Sequence, residues 1–193
     1  MSKVDLPFVI TVCGIEELPG HADREVSHVL SILDPAEPEP HAFGSYGEHA
    51  RLELRFHDII EDMAGYEAPQ RHHVEQMLLF GRDILDDPEA ARHLLVHCHM
   101  GISRSTASMA LLLAVAQPER QASDILAQML TMREKLWPNL RILNFGEELL
   151  GRPGEFSAAA AEIYRLQMSL KPDIKEYFIS VGRGREIALA LGE

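Results

Sequence analysis

Cysteine is scarce: the chain has two, Cys13 and Cys98, too few for a disulfide framework, so both thiols are expected to be free in a reducing compartment. Long apolar runs are also missing. The run from Phe8 to Cys13 follows Lys3 and Asp5 and lacks the basic and apolar regions of a secretory signal, and Met109 to Ala116 is too short to span a bilayer. The expectation is a cytoplasmic protein without a membrane partner. Basic residues are in deficit, 18 against 30 acidic, a net charge of −12. Such a surface repels nucleic acid and anionic membrane, so any anion the protein handles must be held by a local pocket that overrides the global field. No internal repeat occurs, and no low-complexity tract beyond Ala158 to Ala161. What remains is 193 residues, 46% hydrophobic and 25% charged, with mean hydropathy −0.08. That is the balance of one soluble globular unit with its own core, and it excludes collagen, coiled-coil and disordered classes.

Phe8 to Cys13 and Val29 to Leu33 are short β-rich runs closed by Gly14 and by Asp34-Pro35, and they read as buried strands. Residues Pro35 to Pro40 form a stiff acidic loop, because three prolines fix φ and remove donors. From Arg51 to His57, Leu52, Leu54 and Phe56 alternate with polar residues, the period of a half-buried strand that leaves Asp58 at its C-terminal end. A helical stripe runs from Gln70 to Asp87. His93 to His97 is a further strand leading straight into Cys98, and Ser103 to Gln117 is apolar nearly all round, as a central buried helix must be. Helices are expected at Gln121 to Lys135, Leu140 to Leu150, Phe156 to Leu170 and Asp173 to Leu191, with a break at Gly151 to Gly154. Strands interleaved with helices predict an α/β layer fold.

The chemistry is concentrated in His97-Cys98-His99-Met100-Gly101-Ile102-Ser103-Arg104-Ser105, between a buried strand and a buried helix. A short loop closing onto a helix N-terminus can turn successive backbone N–H groups inward as a nest for a tetrahedral oxyanion, reinforced by the helix dipole. Gly101 suits a position of positive φ. Arg104, at the end of the loop, can grip two oxygens with its planar fork. Cys98 on the floor feels these donors, which favour its thiolate. The arrangement is a nucleophile aimed at phosphorus.

His-Cys, five residues, then Arg-Ser resembles the active-site pattern of cysteine-dependent protein tyrosine phosphatases, most closely the compact dual-specificity branch and its bacterial relatives. The Val29 to Leu33 strand, Asp58 about forty residues before Cys98, and Trp137-Pro138-Asn139 agree with it, and the resemblance covers roughly Asp5 to Arg152. It implies a central, mainly parallel mixed sheet of about four to five strands flanked by helices. By matched position, Cys98 is the nucleophile and Arg104 the phosphate clamp. Ser105 helps the thiolate leave, His97 supports the cysteine through hydrogen bonds, and His99, Met100, Gly101, Ile102 and Ser103 supply backbone N–H groups. Asp58 matches the general acid, with Glu61 and Asp62 as the neighbouring alternatives. The reaction implied is hydrolysis of phosphate monoesters through a cysteinyl-phosphate, without metal or other cofactor. Phosphotyrosine in proteins is the first expected substrate, phosphoserine or phosphothreonine the second, and a small phosphorylated metabolite remains open. The loop carries no lysine, which disfavours a lipid head group.

Other readings compete with these. A zinc site built from His97, His99, His72 and His73 would occupy the thiolate and set Arg104 against a cation. A catalytically inactive phospho-binding module usually lacks the cysteine or arginine, and both are present. Sulfurtransferases of the rhodanese type have a shorter loop, and low-molecular-weight phosphatases carry theirs near the N-terminus. Asn139 reads as a helix cap and Cys13 as core, although a second thiol could protect Cys98 as a reversible disulfide. The expected division is a catalytic domain over 1–152 and a helical extension over 153–193, packed on it or extending from it. The sequence assigns no role to that extension, with its Gly182-Arg183-Gly184-Arg185, and fixes no oligomeric state.

Overall fold

The computed structural model describes Leu6 and residues 8–193; Lys3 and Asp5, ahead of the first strand, lie outside the described residues. Four six-residue strands, β1 (Val9–Gly14), β2 (His28–Leu33), β3 (Ala50–Arg55) and β4 (His93–Cys98), form one sheet in the order β1-β4-β2-β3. Every ladder is parallel, with Cys13 opposite His97, Ser31 opposite His97, and Leu33 opposite Arg55. The expected mixed sheet is therefore wholly parallel among the described residues.

Parallel strands need crossovers that cover the faces, so the central strand must be buried on both sides. All six residues of β4 are buried, histidines included. His93 meets this constraint by hydrogen-bonding Thr11 Oγ1 at 2.9 Å and the Arg24 carbonyl at 3.0 Å. Side chains alternate across β4, so Leu94, Val96 and Cys98 enter the main core, while Leu95 joins a smaller cluster with Cys13, Leu18, Val29 and Phe43 on the opposite face. Cys13 and Cys98 thus have a sheet between their thiols. Burial, followed by the nearby Glu17 carboxylate, pushes the Cys13 thiol up to about 12.

The helices are α1 (Arg71–Asp86), α2 (Arg104–Ala116), α3 (Ala122–Met132), α4 (Leu140–Leu149), α5 (Glu155–Leu170), α6 (Ile174–Ser180) and α7 (Gly184–Leu191). Helix α2 is buried along eleven of its thirteen residues and packs against α1, α3, α4 and β4. The single helix expected over Asp173 to Leu191 is two, interrupted where Gly182 takes φ +78°. The break between α4 and α5 falls as expected at Gly151–Gly154, yet the core crosses it: Phe156, Ala160, Tyr164, Phe178 and Ile187 belong to the same cluster as Val96 and Leu111. Glu147 of α4 caps α5, accepting hydrogen bonds from the Phe156 and Ser157 N–H groups at 3.0 Å each, where a carboxylate meets the positive end of the helix dipole. Trp137 stacks between Tyr164 and Phe178, with ring centroids 4.5 and 4.0 Å away. Among the described residues no helix is long and apolar enough to cross a membrane.

Candidate active site

Because all four strands run the same way, their C-terminal ends share one edge, the usual ligand-binding edge of an open α/β sheet. Gly14, Asp34, Asp58 and Cys98 all lie at or just beyond those ends. The loop from His99 to Ser103 leaves β4 and enters α2, and its conformation is dictated by contacts on its outer side. The His99 carbonyl accepts from Ile15 N–H at 3.0 Å, and Ile102 and Ser103 accept from the Trp137 and Asn139 N–H groups at 3.0 and 3.3 Å. Arg133 donates to the Met100 and Gly101 carbonyls at 3.2 Å each, while its own position is set by Glu17 at 2.8 Å. Thr106 Oγ1 adds a second donor to Ile102 O at 2.6 Å.

With the five consecutive carbonyls of 99–103 engaged on the outer side, peptide planarity turns the N–H groups of 100–104 the opposite way. Among the described residues none of the backbone N–H groups of 99–103 has an acceptor. Gly101 adopts φ +69°, and a Cβ there would lie 2.5 Å from the Cys13 carbonyl carbon and 2.6 Å from Gly14 N. Both its conformation and its close approach to β1 require glycine.

Cys98, 2% exposed, presents Sγ 3.1 Å from Ser105 Oγ. Arg104 is 3% exposed: Nη1 donates to Asp34 Oδ1 and to the Phe56 carbonyl, each at 2.6 Å, while Nε is buried with no partner among the described residues. One side of the guanidinium is thus fixed through Nη1, and Nε on the other has no partner among the described residues. His97 is fully buried, with Nε2 2.8 Å from Ser31 Oγ, its ring 5.5 Å from Phe43, and Nδ1 without a partner in hydrogen-bond geometry among the described residues, so the hydrogen bonds expected to support Cys98 are not among its side-chain contacts; burial pulls its pKa down to about 4.

Asp58 opens onto a cavity of about 400 Å³ that is also lined by Cys98 and Arg104. Its Oδ1 accepts from Ser103 Oγ (2.7 Å) and Asn139 Nδ2 (2.9 Å), and pairs with Arg183 Nη1 (3.2 Å). Burial alone would raise its pKa; the Arg183 and Arg104 charges, with the hydrogen bonds from Asn139 and Ser103, outweigh burial and hold it below the usual carboxylate range. Glu61 and Asp62 point elsewhere, to Arg185 at 3.0 Å and Arg141 at 2.9 Å, and neither lines the cavity. His72 and His73 stand at the start of α1, with His73 stacked on Phe56 at 4.8 Å. Among the described residues no three His, Cys, Asp or Glu side chains converge as metal ligands.

Three residues of the site, Asp34, Arg183 and Glu186, and the Asp58 contact of Asn139 are not legible in the sequence. In the sequence Asp34 reads as a strand terminator, although a charged residue directly after a parallel strand already stands at the ligand-binding edge. Asn139 caps α4, accepting from Ile142 N–H at 3.1 Å, and also contacts Asp58. Arg183 and Glu186 lie in the extension to which no role was given, and no local pattern signals them. That extension forms one wall of the cavity through Lys171, Tyr177, Phe178 and Arg183.

Neither family models nor curated protein sequences match the chain, but solved structures do. Human DUSP28 superposes with TM-score 0.54 at 14% identity, covering 74% of this chain and 94% of that one. DUSP15 gives TM-score 0.54 at 22% identity, covering 78% and 86%. PTPMT1, solved in complex with PI(5)P, gives 0.50 at 14% identity, covering 74% and 90%. With its parallel sheet and the Cys98–Arg104 loop at the sheet's C-terminal edge, the chain has the fold of the dual-specificity and tyrosine phosphatases.

Proposed function

We propose that this protein is a phosphatase that hydrolyses phosphate monoesters through a cysteinyl-phosphate on Cys98, with phosphotyrosine in proteins as the first-choice substrate. The observation that carries this reading is the loop of residues 99–103, whose carbonyls all accept from neighbouring elements while its N–H groups and Arg104 Nε have no acceptor among the described residues. Preorganised donors of this kind stabilise a transferring phosphoryl group without reorganising during the reaction. Two exposed lysines, Lys135 and Lys171, line the same cavity in a chain of net charge −12. They supply the local positive field that an anionic substrate needs. Ile102, Leu136 and Phe178 give the cavity apolar lining suited to an aryl ester.

In the first step the Cys98 thiolate attacks phosphorus, the ester P–O bond breaks, and the leaving oxygen takes the proton of Asp58. Arg104 and the loop N–H groups hold the three non-bridging oxygens. In the second step water attacks the cysteinyl-phosphate and gives its proton to Asp58, while the Cys98 sulfur departs as thiolate with Ser105 Oγ, 3.1 Å away, donating to it. The cycle returns Cys98 and Asp58 to their starting states and releases inorganic phosphate.

The test is turnover against phosphotyrosine and phosphothreonine peptides, inositol phosphates and phosphoinositide vesicles, in EDTA, for the wild type and Cys98→Ser. Activity on the phosphotyrosine peptide that is lost in the variant supports the reading. Activity that survives Cys98→Ser, or that EDTA abolishes, contradicts it; preference for another member of the panel keeps the mechanism and changes the substrate.

A further inference from the structure

We propose that Arg183, in the turn between α6 and α7, is a positioning residue of this site: it clamps one oxygen of Asp58 against Ser103, making the C-terminal segment part of the catalytic centre. The proposal rests on Asp58 being the acid of the phosphatase reaction above, and deepens that reading.

Arg183 is 3% exposed. Nε donates to Glu186 Oε2 at 2.9 Å and Nη2 to Glu186 Oε1 at 2.7 Å, while Nη1 donates to Ser103 Oγ at 2.9 Å and pairs with Asp58 Oδ1 at 3.2 Å. The guanidinium carbon lies 4.9 Å from the Phe178 ring centroid. Every nitrogen of the fork has a protein acceptor, so Arg183 has little left to offer a substrate and acts through Asp58. Its pose is fixed from behind, because Glu186, fully buried, also accepts from Trp137 Nε1 at 2.6 Å and Leu140 N–H at 3.0 Å. The segment that carries Trp137 and Asn139 is therefore tied to the same anchor, and Asn139 in turn reaches Asp58.

The contacts to Asp58, two hydrogen bonds from Ser103 and Asn139 and the ion pair with Arg183, converge on a single oxygen. Ser103, Asn139 and Arg183 all meet Oδ1, and among the described residues no protein donor reaches Oδ2. One oxygen is immobilised, and because Asp58 lines the cavity the other, free of protein donors, can carry the proton that a leaving group needs. This arrangement reconciles an acid catalyst with a strongly ion-paired carboxylate, since the clamp sets the direction of the free oxygen while the arriving phosphate dianion opposes the ionised form.

The charged and titratable groups around Asp58 are Arg183 from the α6–α7 turn, Arg104 from α2, Glu186 behind Arg183 and Tyr164 from α5, with Cys98 from β4, His99 from the loop, Lys135, Lys171 and Tyr177 lining the same cavity. Arg183 and Arg104 favour the carboxylate, and burial opposes it. Removing the Arg183 charge leaves burial less opposed, so Asp58 must become a weaker acid and lose its fixed direction together.

The decisive experiment follows the Asp58 carboxyl carbon by NMR in aspartate-labelled protein without substrate, assigned with Asp58→Asn, alongside kcat/KM for phenyl phosphate against pH. In the wild type, Asp58 titrates below the ordinary carboxylate range. Arg183→Met and Arg183→Gln raise that midpoint by about one to three pH units, the effect of an adjacent opposite charge, and move the limb of kcat/KM that Asp58 ionisation sets for phenyl phosphate to higher pH. Arg183→Lys stays close to the wild type in both. A wild-type midpoint at or above the ordinary range overturns the clamp even if the neutral variants do not fold. So does an unchanged midpoint in Arg183→Met, or an Arg183→Lys midpoint displaced as far as that of Arg183→Met. Because the titration needs no turnover, absence of phosphatase activity counts against the proposed function, while the titration still decides whether Arg183 clamps Asp58.

Discussion

Substituting Gly101 by alanine probes the proposed phosphate nest through its backbone alone. Gly101 and Gly151 share φ +69°, so alanine at either position incurs the same left-handed strain, about 1–2 kcal/mol. They differ in surroundings. A Cβ on Gly151 meets nothing within 4 Å, whereas one on Gly101 comes within 2.5 Å of the Cys13 carbonyl carbon, in backbone that cannot rotate away. Restoring an ordinary 3.4 Å contact requires the loop to retreat by about 0.9 Å from β1. A misplacement of roughly 1 Å in a preorganised site costs about 10²-fold in rate. Gly101→Ala is therefore expected to lower kcat/KM for an aryl phosphate by about 10²-fold and to weaken competitive inhibition by vanadate in parallel. Gly151→Ala should lose a few degrees of Tm and nothing in activity. Thermal denaturation and vanadate inhibition of both variants provide the comparison. Equal activity in the two variants, with vanadate affinity unchanged in Gly101→Ala, would refute the claim that close packing of the loop on β1 shapes the nest.

Asp58→Asn is expected to slow turnover of phenyl phosphate by about 10²- to 10⁴-fold, the usual contribution of a positioned acid, with a much smaller loss for a nitrophenyl ester that leaves without a proton. Glu61→Gln and Asp62→Asn, whose carboxylates pair with Arg185 and Arg141 outside the cavity, should leave both rates unchanged. The same aspartate affects acid stability. Its pKa is lower folded than unfolded, so its stabilisation is fully present above the unfolded value of about 3.9 and is lost as pH falls through the lower folded value. Urea midpoints measured from pH 5 to pH 3 should fall more for the wild type than for Asp58→Asn, and parallel curves would contradict the ion pairing.

The parts of the fold legible in the sequence were those encoded locally. The apolar run of β4, the all-round apolar α2 and the glycine between them announce themselves within about twenty residues, and they deliver the strand, loop and helix that hold Cys98 and Arg104. What escaped were pairings across the chain. Asp34 meets Arg104 seventy positions later, and Arg183 reaches Asp58 from the far end of the sequence. An ion pair between distant residues leaves no periodicity, and either charge read alone is a solvated side chain. The split between α6 and α7 was hidden because apolar residues continue on both sides of Gly182, so only the positive φ there reveals the turn. Strand direction was only partly legible, because a buried run such as Leu94 to Val96 reads alike in parallel and antiparallel neighbours, and the register fixes it.

The central claim is that the nest delivers phosphorus to the Cys98 sulfur. Rapid acid quench of the wild-type protein during turnover of nitrophenyl phosphate in EDTA, followed by mass spectrometry of its peptides, tests this directly. The account predicts one phosphoryl group on the peptide containing Cys98, formed within a single turnover and missing from Cys98→Ser. Turnover that proceeds with Cys98 unmodified and the phosphoryl group on another residue, or a Cys98→Ser variant that turns over at the wild-type rate, would contradict it.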